Sequence, residues 1–259
     1  MAMSRPSEVA LLDCDVEAPN AHLFIKPEFS EKERVSVAKP VFDLDKCTGC
    51  GKCREVCRFN AIALLTGKPM FFKELCHSCG GCVRNCPAAA IEEVPLQIGT
   101  FETGKVGDLL FAHGLLDIGE ARSSPLIERV KEEIYERKLV IIDAPPGTSC
   151  PMVESVRDSD YAVLVTEPTP FGLHDLKLAV DTVRKLEIPF GVVINRSDLG
   201  DEGVKNFCRE ENITVLGEIP FDRSMAVLYS RGDIASVTLP EYRKLFSRIF
   251  ERVLCEITK

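Results

Sequence analysis

The sequence predicts an α/β protein: a doubly wound, mostly parallel sheet, with a small α+β module of residues 38–95 inserted into it. Residues 1–37 and 96–259 then form one discontinuous domain. Two observations predict this. Outside the insert, short β-branched runs alternate with stretches of helical length, the mark of βαβ units and a parallel sheet covered on both faces. Inside it, eight of the twelve cysteines crowd between positions 47 and 86.

In chain order, "ALLDCDVEAPN" (10–20) is a short apolar strand that ends on Asp13 and Asp15 and breaks at Pro19-Asn20. "QIGTFETGKVGDLLFAHGLL" (97–116) is turn-rich and reads as a hairpin. An amphipathic helix over about 125–137 precedes a buried strand, "KLVIID" (138–143). "YAVLV" (161–165), "FGVVI" (190–194) and "ITVLGEIP" (213–220) are further strands, with helices near 173–186, 201–211 and 239–257. In the last helix Leu245, Ile249, Phe250, Val253 and Ile257 recur near helical spacing. Its polar side mixes Glu251 and Glu256 with Arg248 and Arg252, which predicts packing on the core rather than on a membrane.

Composition is that of a globular chain, 45% hydrophobic and 28% charged. A net charge of −8 without a basic block argues against a nucleic-acid partner. No apolar run approaches a membrane span and no signal-peptide core opens the chain, so a cytoplasmic location is expected. In that compartment dense cysteine reads as metal ligation before disulfides.

The cysteines form two runs, "CTGCGKCREVC" with Cys47, Cys50, Cys53 and Cys57, and "CHSCGGCVRNCP" with Cys76, Cys79, Cys82 and Cys86. Each is C-x2-C-x2-C-x3-C, the spacing of bacterial ferredoxins. Three thiolates at three-residue intervals wrap one cubane, and the fourth cysteine reaches across to the other. The expected cofactors are two [4Fe–4S] clusters, one on Cys47, Cys50, Cys53 and Cys86, the other on Cys76, Cys79, Cys82 and Cys57. Structural zinc usually takes separated C-x2-C pairs and suits these compact runs poorly. Gly49, Gly51, Gly80 and Gly81 let the backbone pass close to the clusters.

The module is also an internal repeat. A shift of 29 residues lays Cys47 on Cys76, Cys57 on Cys86, Ala61-Ile62 on Ala90-Ile91 and Phe42 on Phe71. The copies differ after the fourth cysteine, where Pro87 follows Cys86 but Arg58 follows Cys57. His77, within the second run, is expected to face solvent rather than ligate iron.

Polar signatures stand at three predicted strand ends, where ligands bind in open α/β sheets: Asp13-Cys14-Asp15, "DAPPGT" from Asp143, and Asn195-Arg196. With the inserted cysteine module, this order of motifs resembles the MinD/Mrp/nitrogenase-iron-protein class of P-loop ATPases. It is most similar to the MinD-type ATPases of archaea and anaerobes that carry an inserted two-cluster ferredoxin domain. The resemblance runs from Val9 to the C-terminal helix. It implies that Asp15 is the switch I carboxylate orienting the attacking water, with Asp13 nearby in the magnesium shell and Asn20 a switch-region asparagine. It implies that Asp143 opens Walker B/switch II, that the N–H of Gly147 senses the γ-phosphate, that Asn195 reads adenine and that Pro220 flanks the base. Asp15 and Asp143 are the catalytic residues on this reading.

In that class a strand, a glycine- and lysine-rich phosphate loop and a helix precede the switch I strand. Here "MAMSRPSEV" runs straight into it, so the expectation is a P-loop-NTPase-like sheet that is N-terminally incomplete, by truncation or by natural loss. Without the cradle, ATP and magnesium are expected to bind weakly and hydrolysis to be negligible. The absent strand belongs inside the sheet, so ladder groups and apolar side chains are expected to be exposed. "GTFETGKV" (99–106) imitates a phosphate loop, but Val106 replaces the magnesium hydroxyl and no helix follows.

Of the remaining cysteines, Cys14, Cys208 and Cys255 are expected to be buried thiols. Cys150, in "PPGTSCP", either packs near switch II or pairs across a dimer to share a cluster. His174 is expected in the first turn of a helix and His113 in hairpin packing. Three functions fit: electron transfer coupled to ATP-dependent switching, with a redox partner; Mrp-type delivery of clusters to an acceptor protein; or an interaction protein with structural cubanes. A homodimer is compatible with each.

Overall fold

The computed structural model describes residues 9–134 and 139–258. The elements in chain order are β1 (Val9–Asp13), α1 (Ala21–Ile25), β2 (Glu28–Phe42), α2 (Lys52–Glu55), β3 (Ile62–Leu65), β4 (Lys68–Phe71), α3 (Gly81–Arg84), β5 (Ile91–Val106) and β6 (Leu109–Leu116). There follow α4 (Ser124–Lys131), β7 (Leu139–Asp143), α5 (Cys150–Val156), β8 (Ala162–Thr166), α6 (Pro170–Lys185), β9 (Phe190–Asn195), α7 (Gly203–Glu210), β10 (Val215–Ile219), α8 (Arg223–Ser230), α9 (Ala235–Thr238) and α10 (Pro240–Ile257). The end of the helix predicted over 125–137 lies outside the described residues.

The strands form a sheet ordered β2-β5-β6-β1-β7, a second ordered β10-β9-β8, and the small pair β3-β4. β1 runs parallel to β6 and β7, and β8, β9 and β10 are mutually parallel. β5 and β6 make the predicted antiparallel hairpin. The "GTFETGKV" stretch lies in β5, and the chain turns at Gly107-Asp108, so it is a strand and no phosphate loop.

β1 is buried because both neighbours pair with it, and Leu12 packs with Ile98, Phe101 and Ala112 under α4 (Leu126, Ile127, Val130). A second core lies under α6 and α7, where Leu176 and Val180 meet Val192, Ile194 and Val204. α10 covers the far end through Tyr242 and Ile249.

β7 and β8 each end a sheet, and among the described residues no strand pairs with their outer edges. α5 bridges the interruption, its Val156 packing on the cluster of Ala162, Val183 and Ile188. β7, predicted to be buried, is half-buried along its length, because a parallel strand is enclosed only when both edges are paired. On β8, Val163 and Val165 are 41% and 66% exposed. Unpaired apolar edges template association. Val163→Thr/Val165→Lys is therefore expected to lower self-association in light scattering at unchanged secondary structure; equal scattering would show that the edge is silent.

β2 and β5 pair over their whole length, from Glu28↔Lys105 to Phe42↔Ile91. This ribbon carries the chain out of the sheet into the cysteine module and back, continuing through positions 38 and 95 without a break.

Candidate iron–sulfur site

The cysteine module folds as two copies of one unit. Asp43 N donates to Ala90 O at 2.9 Å, and at the repeat-related positions Phe72 N donates to Ala61 O at 2.8 Å. Phe42 and Phe71, also repeat-related, pack ring to ring at 5.9 Å. Each copy thus closes on the other's tail, which swaps the fourth cysteine between them. Gly51 and Gly80 hold equivalent left-handed positions (φ 81° and 67°) that start α2 and α3.

Two cavities result. One is lined by Cys47, Cys50, Cys53 and Cys86. The other is lined by Cys57, Cys76, Cys79 and Cys82. In each, three sulfurs come from one run and one from the other. All eight are free thiols. Among the described residues no three His, Cys, Asp or Glu groups converge to hold a single metal ion. Sulfurs spaced around a cavity, rather than converging on a point, fit a polynuclear cluster and do not fit mononuclear zinc.

The backbone already offers N–H groups to sulfur. Ser78 N lies 3.4 Å from Cys76 Sγ, and Ala90 N lies 3.3 Å from Cys86 Sγ. Gly49 has φ +70°, and an added Cβ would meet Gly67 O at 2.6 Å. Gly49→Ala is expected to cost about 1–3 kcal/mol of local strain and to lower iron retention at the Cys47–Cys53 loop; a full iron complement in that variant would contradict this.

Burial pushes the Cys82 thiol up to about 11 and raises its repeat mate Cys53. Metal-free, these groups keep their protons, and ligation must expel them. Iron–sulfur assembly is therefore expected to be more complete at pH 8.5 than at pH 6.5 in an anaerobic reconstitution; a flat profile would contradict it. His77, predicted to face solvent, is exposed, and it stacks on Phe59 at 3.7 Å at the wall of the second pocket.

The predicted nucleotide residues fall at strand ends in two groups. Asp13 is buried at the end of β1, and its carboxylate accepts from Asp15 N (3.2 Å), Asn20 N (3.0 Å) and Ala21 N (3.0 Å), anchoring the turn into α1. Asp143 pairs in register with Asp13. Burial, then the charges of Asp13 and Asp15, raise the Asp143 carboxyl above the usual carboxylate range. Gly147 (φ +91°) sits in an open loop. Asn195 ends β9 and exposed Pro220 follows β10, in the other sheet. No described hydrogen bond or ion pair links the two groups, and none joins a lysine or arginine to Asp13, Asp15 or Asp143.

Other expectations divide. Cys14 and Cys208 are buried, but Cys255 is exposed. The buried face of α10 runs through Tyr242 and Ile249 with Val253 packed beside them; Cys255, two residues beyond Val253, turns to the opposite side, and Ile257 is exposed too. Cys150 is exposed at the start of α5. His113 is buried in the hairpin with Nε2 3.0 Å from Glu102, a contact that the sequence spacing concealed.

The model of the 4Fe-4S binding domain matches residues 40–63 and 69–92, one match per cysteine run. An uncharacterized protein of Methanocaldococcus jannaschii is 33% identical over 223 residues, covering 85% of this chain and 76% of that protein. The chain belongs to the family of that protein. An iron-sulfur cluster carrier protein of the same organism is 29% identical over 139 residues, 46% of this chain and 48% of that one. Among solved structures, MinD of Pyrococcus horikoshii complexed with Mg-ADP matches with TM-score 0.57 at 14% identity, covering 96% of this chain and 84% of that chain, and so shares the fold. No helix among the described residues is long and apolar enough to cross a membrane.

Proposed function

We propose that this family member holds two [4Fe–4S] clusters, on Cys47, Cys50, Cys53 and Cys86 and on Cys57, Cys76, Cys79 and Cys82, and passes single electrons between protein partners. The observation that carries the reading is the pair of cavities, each walled by three cysteines of one run and one of the other. Bound there, a cubane supplies a one-electron couple. The chain supplies the thiolates, the N–H groups of Ser78 and Ala90 directed at sulfur, and a largely apolar wall that includes Phe42, Leu64 and Ile91. Cys50 and Cys79 are exposed, which leaves both sites open to a partner's approach.

The β2–β5 ribbon supports coupling to the ATPase-type half. β6 separates it from β1 in the sheet, but Val16, just past Asp15, shares a core cluster with Val35 and Val37 of β2, and from there the paired ribbon runs to the cluster loops. Nucleotide itself is not expected to drive this 259-residue polypeptide. Three carboxylates gather at the β1 and β7 ends, and no described lysine or arginine pairs with them, so the phosphates of a nucleotide find no lysine or arginine partner there. Titration with magnesium-ATP is expected to show no saturable micromolar binding and no turnover; either would overturn this point.

Delivery of clusters to an acceptor is the second reading, favoured by the likeness to iron-sulfur cluster carrier proteins. Incubation of the loaded protein with an apo-ferredoxin separates the two. Retained clusters with reversible reduction support the electron carrier. Colour passing to the acceptor supports delivery.

A further inference from the structure

We propose that Lys39, with Arg122, makes the two clusters electrically unequal and sets the Cys57/Cys76/Cys79/Cys82 cluster at the higher reduction potential. This rests on the two-cluster reading above and asks which site keeps the electron.

The repeat makes the comparison internal to the molecule. The loop from Cys76 to Cys79 is held by two cations from outside its own run, one on the β2 ribbon and one beyond the module. Lys39, on β2, has a side chain only 3% exposed, and its ammonium donates to Lys73 O at 2.9 Å and Cys76 O at 3.2 Å. Arg122, in the segment after β6, donates to Cys76 O at 3.3 Å and Ser78 Oγ at 2.8 Å. Arg84 adds an exposed third contact, to Cys79 O at 2.6 Å.

At the corresponding loop of the first copy the described cations lie in solvent: Lys68, the repeat mate of Lys39, is exposed. The Asp43 carboxylate accepts from Asp45 N (3.0 Å) and Lys46 N (3.2 Å), where the repeat places Phe72 in the second copy. Glu55 stands where the second copy has Arg84. Lys46 pairs with Asp43 at 3.0 Å in solvent, and Lys52 is exposed. Among the described residues no buried cation touches the first loop.

Carboxylates temper the second loop as well. Glu120, its side chain only 13% exposed, lies 3.9 Å from Lys39 and offsets part of its field, leaving Arg122 as the cation with no such partner described, and Glu93 lines the cavity. Exposed charges are screened by water and salt, however, whereas a buried ammonium keeps its field. A cluster on four thiolates is anionic and gains one further negative charge on reduction. A buried cation beside it stabilises the reduced state more than the oxidised one and raises the potential. Lys39 is a positioning and tuning residue here, since it touches loop carbonyls rather than iron.

The test is voltammetry, with EPR, on the anaerobically loaded full chain. Wild type is expected to show two one-electron waves. Cys57→Ala is expected to delete the more positive one, which assigns it. Lys39→Met is expected to move that wave negative, changing the reduced-to-oxidised ratio at fixed potential about tenfold, or about 59 mV for one electron. Arg122→Gln moves the same wave by less, and Lys39→Arg restores it. If Lys39→Met loses iron, Arg122→Gln decides alone, because it leaves Lys39 in place. Coincident wild-type waves, a shift confined to the other wave, or no shift at full iron content would overturn the proposal. About four iron atoms per wild-type chain would instead overturn the two-cluster reading on which it rests.

Discussion

Cys86→Ala is expected to abolish the cluster whose other ligands lie some thirty residues upstream, and to spare the one within its own run. Cys86 lines the cavity of Cys47, Cys50 and Cys53, while Cys57 lines that of Cys76, Cys79 and Cys82. Each single variant should fall from about eight to about four iron atoms per chain, and the two should lose different EPR signals. If each run held its own cluster, Cys86→Ala would instead remove the signal lost with Cys82→Ala. The comparison of these variants therefore tests the crossed arrangement and not merely the presence of iron. Replacing a ligand by alanine also leaves three thiolates around an open iron corner, so loss rather than weakening is expected.

Phe101→Ala carries the largest expected cost to the fold. Phe101 is fully buried on β5 among Leu12, Ile98 and Leu126, and the Arg129 guanidinium lies 3.8 Å over its ring. Truncating a buried phenylalanine costs about 3–5 kcal/mol, a large part of the stability of an ordinary domain. The same strand forms one side of the ribbon to the cysteine module, so thermal unfolding of this variant is expected at lower temperature and with earlier release of iron. Phe101→Leu, which fills most of the volume, should recover most of the loss. A near-wild-type melting curve for the alanine variant would show that the sheet does not depend on this layer.

The site was legible where chemistry demands a spacing. Eight cysteines at ferredoxin intervals, repeated after 29 residues, predict which cysteines line one pocket together, and the paired turns at Asp43 and Phe72 are the folded form of that repeat. The strand at 190–194 was legible for a similar reason, since a parallel strand paired on both edges and covered on both faces must be apolar throughout. The ribbon was not. "EFSEKERVSVAKPVF" looks like a charged linker because its first half is an exposed edge, and pairing with β5 rather than side-chain burial makes it a strand. Lys39 was equally hidden: nothing local marks a lysine that will be buried against carbonyls 34 and 37 residues away. Cys255 misled because its helix repeats apolar residues on more than one face, and only Tyr242, Ile249 and their neighbours find a partner.

The central claim is that eight thiols in two mixed sets hold two cubanes, and iron and acid-labile sulfide analysis with Mössbauer spectroscopy on anaerobically reconstituted protein tests it most directly. About eight iron and eight sulfide per chain, all in the spectrum of [4Fe–4S] centres, is the expected result. A colourless protein with about zero iron, or one that takes up zinc instead, would contradict the account.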